Sequence, residues 1–196
     1  MIYLIDPGHG VDTAGKRSPD GLLREYAWAR DVAQRIAVLG QSRGMDVRLL
    51  VSETHDVPLR ERVRRVNDYV RRYGRDNVVL VSVHVNASGN GSEWGLARGF
   101  SVFVSANASQ ASRELAQAFT HLARERRLLG NRFVPAENYW VQSLAMTRDT
   151  LCPAVLTENL FMDNRDDCAW LVSEAGRDAI ARLHVDALER WKGAAV

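Results

Sequence analysis

Four residues of this 196-residue chain stand where apolar runs give way to polar ones, and their types could do chemistry together. His9 follows the opening run in "IYLIDPGHG", and His84 closes "NVVLVSVHV". Glu158 ends "PAVLTEN", and Glu25 opens a helical pattern after a long irregular stretch. Two imidazoles and a carboxylate can hold three tetrahedral positions of a catalytic zinc ion and leave the fourth to water. Such an ion lowers the pKa of that water and polarises the carbonyl it attacks, while a second, unligated carboxylate carries the proton. Each residue also has a plainer reading. A strand-end histidine can be a hydrogen-bonded turn residue, Glu25 can answer a helix dipole, and Glu158 needs some partner in any case. Spacing alone leaves both readings open.

The elements that must position these residues are legible as periodicities. Apolar, β-branched runs at Ile2–Ile5, Val47–Val51 and Asn77–Val85, followed by "GFSVFVS" from Gly99 and "PAVLTEN" from Pro153, predict five strands. Helical spacing predicts helices over Glu25–Arg43, Leu59–Tyr73, Ser109–Leu129 and Asp167–Trp191, with the arginines of the second on a solvated face. Strands alternating with helices imply one α/β domain over residues 1–196, an open, mostly parallel twisted sheet with helices on both faces. Ligands of such sheets gather beyond the carboxyl ends of the strands, and a right-handed connection brings Glu25 to that edge as well. Two irregular stretches, from Val11 and from Gly130 to Thr150, are candidate substrate loops. Tyr139 and Trp140, in the second, suit either a substrate groove or a cap on the core.

Composition removes several classes. A net charge of +2 gives no field for nucleic acid, and no run of apolar residues is long enough to span a membrane. The strand pattern starts at Ile2 with no basic region and long apolar segment before it, so the expectation is no signal peptide. Cys152 and Cys168 are too few for a disulfide scaffold and are expected as buried free thiols, with Cys152 a poor candidate nucleophile. His55, His121 and His184 lie in a turn or in helical patterns and read as solvated or structural. Asp6 suits either a bond to a metal-bound imidazole or the Pro-Gly turn. "DPGHG" has neither the dinucleotide spacing nor the phosphate-loop lysine.

Several ordered motifs resemble the zinc-dependent N-acetylmuramoyl-L-alanine amidases of the Amidase_3 type. "IDPGHG" is similar to that family's opening strand, Glu25 in "LLREYAWA" to its metal-binding glutamate, and "SVHVNAS" to its second histidine strand. "PLRERVRRVN" is similar to its helix with a leucine, an arginine and a terminal asparagine, and "PAVLTENLFMDN" to the strand of its catalytic glutamate. The resemblance runs from residue 2 to about residue 190. It implies that His9, Glu25 and His84 bind Zn2+ and that Glu158 is the general acid/base. It also implies that Arg148, in "LAMTRDT", binds a substrate carboxylate. Leu160 and Asp163 stand where the family has a glycine and a small residue, which leaves the pocket floor open to question.

The implied reaction is hydrolysis of the amide between N-acetylmuramic acid and L-alanine of peptidoglycan, with peptidoglycan or a muropeptide as the partner of a monomer. The implied place of action is the bacterial cell wall, reached by a phage-type or prophage lysin route. Two rival readings stand beside it. One is a metal-independent glycosidase that uses Glu25 and Glu158 as paired carboxylates. The other is a non-catalytic peptidoglycan-binding or regulatory protein of the same fold.

Overall fold

The opening run forms β1 (Ile2–Pro7), and every one of its residues is buried, as a strand flanked on both sides and covered on both faces must be. In the computed structural model, which describes residues 1–89 and 91–194, β1 lies inside a six-stranded sheet with β2 (Asp46–Leu49), β3 (Val78–Asn86), β4 (Ser101–Val104), β5 (Trp140–Val141) and β6 (Ala154–Phe161). The strand order is β2-β1-β3-β6-β4-β5. Parallel pairing joins β2, β1, β3 and β6, whereas β4 runs antiparallel to β6 and carries β5 parallel to itself.

The helices are α1 (Glu25–Ser42), α2 (Leu59–Tyr73), α3 (Gln110–Glu125), α4 (Ala145–Arg148), α5 (Arg165–Leu171) and α6 (Glu174–Ala194). Strand alternation divides the core in two. Tyr3, Ile5, Val79, Val81, Val83, Val102 and Val155 point to one face and pack with Val32 and Ile36 of α1, Phe119 of α3 and Leu183 and Leu188 of α6. Ile2, Leu4, Val78, Leu80 and Ala154 point to the other and meet Val66 and Val70 of α2 and Met146 of α4. Each such side chain contributes about 1.5–3 kcal/mol by leaving water, so the alternation locks the register.

Two departures from the sequence reading matter. The expected helix over residues 167–191 is two helices, because Ser173 leaves the helical path and its hydroxyl accepts from Gly176 N at 3.0 Å, capping α6. The stretch before Thr150, expected as irregular, contains β5 and α4. Two paired residues and a single turn are too short to show a period.

Candidate active site

Asp6, Ser82, His84 and Glu158 lie in register across β1, β3 and β6: Asp6 opposite Ser82, and His84 opposite Glu158. Paired residues share a face, so these side chains stand together at the carboxyl ends of the parallel strands, as expected. The turn after β1 then brings in His9. Its φ of 60° is left-handed, an uncommon conformation for a non-glycine residue that costs about 1–2 kcal/mol. The flanking glycines are needed for space: a Cβ on Gly8 would collide with the His84 imidazole, and one on Gly10 with the backbone of Asp56.

Glu25 arrives from the other side, at the first residue of α1, and is 1% exposed. Its backbone N–H donates to Lys16 O at 2.9 Å, which ties the helix start to the long β1–α1 loop. Glu25 Oε1 lies 3.0 Å from His84 Nδ1 and accepts from Val85 N at 3.0 Å, while Oε2 lies 3.4 Å from His9 Nε2. The two imidazoles meet edge to face, with centroids 5.0 Å apart. Burial pushes the Glu25 carboxyl up, but its bonds to His84 and His9 outweigh that and hold it near about 2. Burial works against protonation of His84, and its bond to Glu25 more than reverses this, so its pKa is raised.

This trio fits a metal ion. One ligand atom from each of His9, Glu25 and His84 lies within 4.8 Å of the others. Donors about 2.0–2.1 Å from a tetrahedral zinc stand about 3.3 Å apart, close to the observed 3.0 and 3.4 Å. Glu25 Oε2 is buried and accepts no hydrogen bond, the state of an oxygen that awaits a cation. A cavity of about 410 Å³ opens beside the trio, with Pro58, Leu59 and Met146 on its far wall.

Glu158 lies beside the trio without joining it. Burial raises its carboxyl to about 7, the nearby Glu25 charge adds to this, and His84, Lys16 and Arg132 oppose it. Its Oε2 is also buried without a partner. Directly after it β6 bulges: His84 pairs with Glu158 but Asn86 pairs with Phe161, and Leu160 takes up the extra residue at a left-handed φ of 64°. Leu160 is buried in the core, and Asp163 accepts from Ser88 N, Ser88 Oγ and Gly89 N at 2.7–2.9 Å. The two unusual residues of this segment thus build the bulge and anchor the loop after β3.

Arg148 is placed differently from the other four. Its guanidinium is held by both oxygens of Asp149 at 2.7 Å and by Ser143 Oγ at 2.9 Å, and it bonds to none of the trio. Tyr139 is buried with its hydroxyl 3.0 Å from Arg113, whereas half-buried Trp140 lies beside Phe103 with the rings tilted by 31°. Cys152 and Cys168 are free and buried, and burial pushes the Cys152 thiol up to about 12.

The sequence reading missed Arg62. Four of its neighbours on α2 do face solvent, but Arg62 is 2% exposed and runs under the His9 turn. It donates to Asp6 Oδ1 at 2.6 Å, to Pro7 O at 2.7 Å, to His9 O at 3.1 Å and to Val57 O at 2.8 Å. Asp6 in turn accepts from Ser82 Oγ at 2.7 Å, and Ser82 Oγ lies 3.2 Å from His84 Nε2. Asp6 therefore reaches the imidazole through Ser82 and braces the turn through Arg62, combining its two expected roles. The arginine of "PLRERVRRVN" was the available signal.

Comparison with known proteins agrees with this architecture. The chain is 28% identical over 191 residues to N-acetylmuramoyl-L-alanine amidase CwlM of Bacillus licheniformis, covering 95% of this chain and 66% of that protein. It is 25% identical over 189 residues to the endolysin of Bacillus phage SPP1, covering 95% of this chain and 64% of that protein. It thus spans a little under two thirds of the length of these relatives. The fold superposes on the amidase Ami1 of Mycobacterium smegmatis with a TM-score of 0.84 at 19% identity, covering 99% and 97% of the two chains. The amidase of Clostridium difficile 630 gives 0.80 at 24% identity, covering 98% and 97%. The Amidase_3 profile, described as N-acetylmuramoyl-L-alanine amidase, matches residues 4–190, and on that match the chain belongs to this family.

Proposed function

We propose that residues 1–196 act as one monomeric catalytic domain that hydrolyses the amide between N-acetylmuramic acid and L-alanine in peptidoglycan, at the bacterial cell wall. The observation that carries this reading is the separation of roles between buried Glu25 and half-buried Glu158. Glu25 is hydrogen-bonded to His84, lies 3.4 Å from His9 and is held ionised, whereas Glu158 is poised near neutrality with a free oxygen.

His9, Glu25 and His84 would hold a zinc ion, which when bound supplies Lewis acidity and a water of lowered pKa. Ser82 and Asp6 fix the plane of the His84 ring, and Arg62 fixes the turn that carries His9. Ionised Glu158 takes the proton of the attacking water and returns it to the amide nitrogen as the carbon–nitrogen bond breaks, so that L-alanine leaves with a free amino group. A carboxyl near about 7 is suited to both halves of that transfer. Glu25 is too fully engaged to serve as half of a glycosidase carboxylate pair.

The test is digestion of purified sacculi. New amino groups on alanine, lost on chelation and in Glu158→Ala, are expected. Release of reducing sugar ends instead would sink the proposal, and binding without release would favour a non-catalytic role.

A further inference from the structure

The face that carries His84 and Glu158 continues across the sheet beyond the trio. Ser101 pairs with Glu158, Phe103 lies two residues on along the same face, and Trp140 pairs with Phe103. The apolar residues of α2 cluster with β1 and β3, and Ser101 and Phe103 are buried. The outer wall of this half comes from the loop before β5. Arg132 lies with its guanidinium carbon 5.0 Å from the centroid of the Trp140 ring and 5.4 Å from that of Phe161. Phe133, 74% exposed, meets the Trp140 ring edge to face.

Two rings confine the Arg132 guanidinium, and cation–π attraction fixes where it stands. It forms no ion pair or hydrogen bond among the described residues, and its Nε is buried without an acceptor. The Nε side is closed off, but the terminal N–H groups of half-buried Arg132 are not among the buried atoms and hold no partner among the described residues, and a carboxylate can accept two parallel bonds from such a pair. Arg148 lacks this property, since Asp149 already occupies its fork. The Arg132 charge also opposes the rise of the Glu158 carboxyl, so the two lie within electrostatic reach of one another.

We infer that Arg132, clamped between Trp140 and Phe161, is the specificity-determining anchor for a carboxylate borne by the peptide arm of the substrate. This rests on the proposed amidase reading. The sugar arm is then directed to the other side of Glu158, over the cavity beside His9 and His84.

The experiment measures binding and cleavage separately. L-alanyl-D-glutamate and its α-carboxamide are titrated calorimetrically into the zinc-loaded wild type, Arg132→Gln and Arg132→Lys, with folding confirmed by circular dichroism. The wild type is expected to prefer the acid at least tenfold. Arg132→Gln should lose that preference with the carboxamide affinity changed less than twofold, and Arg132→Lys should keep only part of it, since an ammonium cannot present the fork. An equal loss for both ligands, an unchanged preference in Arg132→Gln, or no preference in the wild type overturns the anchor. Sacculus digestion by the wild type is scored alongside. Acid preference lost in Arg132→Gln without any amide cleavage would retain the anchor and reject the reaction, and cleavage with no acid preference would do the reverse.

Discussion

Replacing Arg62 with methionine keeps most of the side-chain volume and removes only the guanidinium, so its cost can be worked from the bonds lost. Asp6, 1% exposed, would lose the guanidinium that is its ion-pair partner among the described residues and keep the Ser82 hydroxyl. Breaking a buried pair this way costs about 3–5 kcal/mol, because a charge is left uncompensated. The carbonyls of Val57, Pro7 and His9 also lose their donor, at about 1 kcal/mol each where water cannot enter. The contact to Asp56, at 3.1 Å and half open to solvent, adds about 0–1 kcal/mol. These terms overlap, because the buried-pair cost already contains most of the rest, so about 4 kcal/mol is the expected net cost rather than their sum, which for a chain of this size lowers Tm by about 8–16 °C. Urea and thermal unfolding of the variant measure it. Arg64→Met, on the exposed side of the same helix, is the control and should cost under about 0.5 kcal/mol. The cycle with Asp6→Asn should show coupling well above about 0.5 kcal/mol. A cost below about 1 kcal/mol, or additivity within that error, would refute the claim that this pair braces the site.

Four further outcomes follow from the same geometry. Glu158→Gln should lower kcat by about 10²–10⁴-fold without unfolding the chain. Wild-type activity should rise as pH climbs through about 7, where the buried Glu158 carboxyl ionises, and a flat profile between pH 6 and 8 would contradict the assignment. Zinc at a hundred times its Kd should stabilise the protein by about 2.7 kcal/mol in thermal melts; His9→Ala should abolish the shift, and persistence of the full shift would exclude His9 as a ligand. His184, buried against Thr157 Oγ1 and Ile180 O, has its pKa pushed down to about 4 by burial. Its folded pKa lies below the unfolded value of about 6.5, so stability is full above that pH and falls as pH drops toward 4. Between pH 7 and 5 this residue alone should cost about 2 kcal/mol, and His184→Phe should flatten that slope in urea melts.

The four chemical residues were legible because each stands at the end of a strong period: the apolar runs to Ile5, Val85 and Thr157, and the helix that starts at Glu25. The face that His84 and Glu158 share was not legible, because runs that are apolar on both faces show no alternation, and the register of β3 against β6 supplies it. What the sequence hid depends on contacts across the fold. Arg62 has the same local context as Arg64 and Arg65, and only the β1 turn above it decides that it is buried. Arg132 sits in a stretch without period, and its clamp comes from Trp140 on a two-residue strand and Phe161 on another strand. The reversal of β4 was equally invisible, because an antiparallel strand of four buried residues reads like a parallel one.

The bulge at Leu160 also has an arithmetic meaning. Side chains on a regular strand take faces by odd and even count, so residues three apart point in opposite directions. Glu158 and Phe161 are three apart, yet both stand on the face shared with His84, because one uncounted residue resets the parity. Removal of Leu160 would restore two-for-two pairing and leave Phe161 on the face of Glu158, whereas straightening the bulge with Leu160 retained would send Phe161 to the opposite side, with Met162 and Asp163 inverted in turn. The proton carrier and the ring under Arg132 would then lie on different sides of the sheet. What keeps this half of the site on one side is thus the way the backbone absorbs its extra residue.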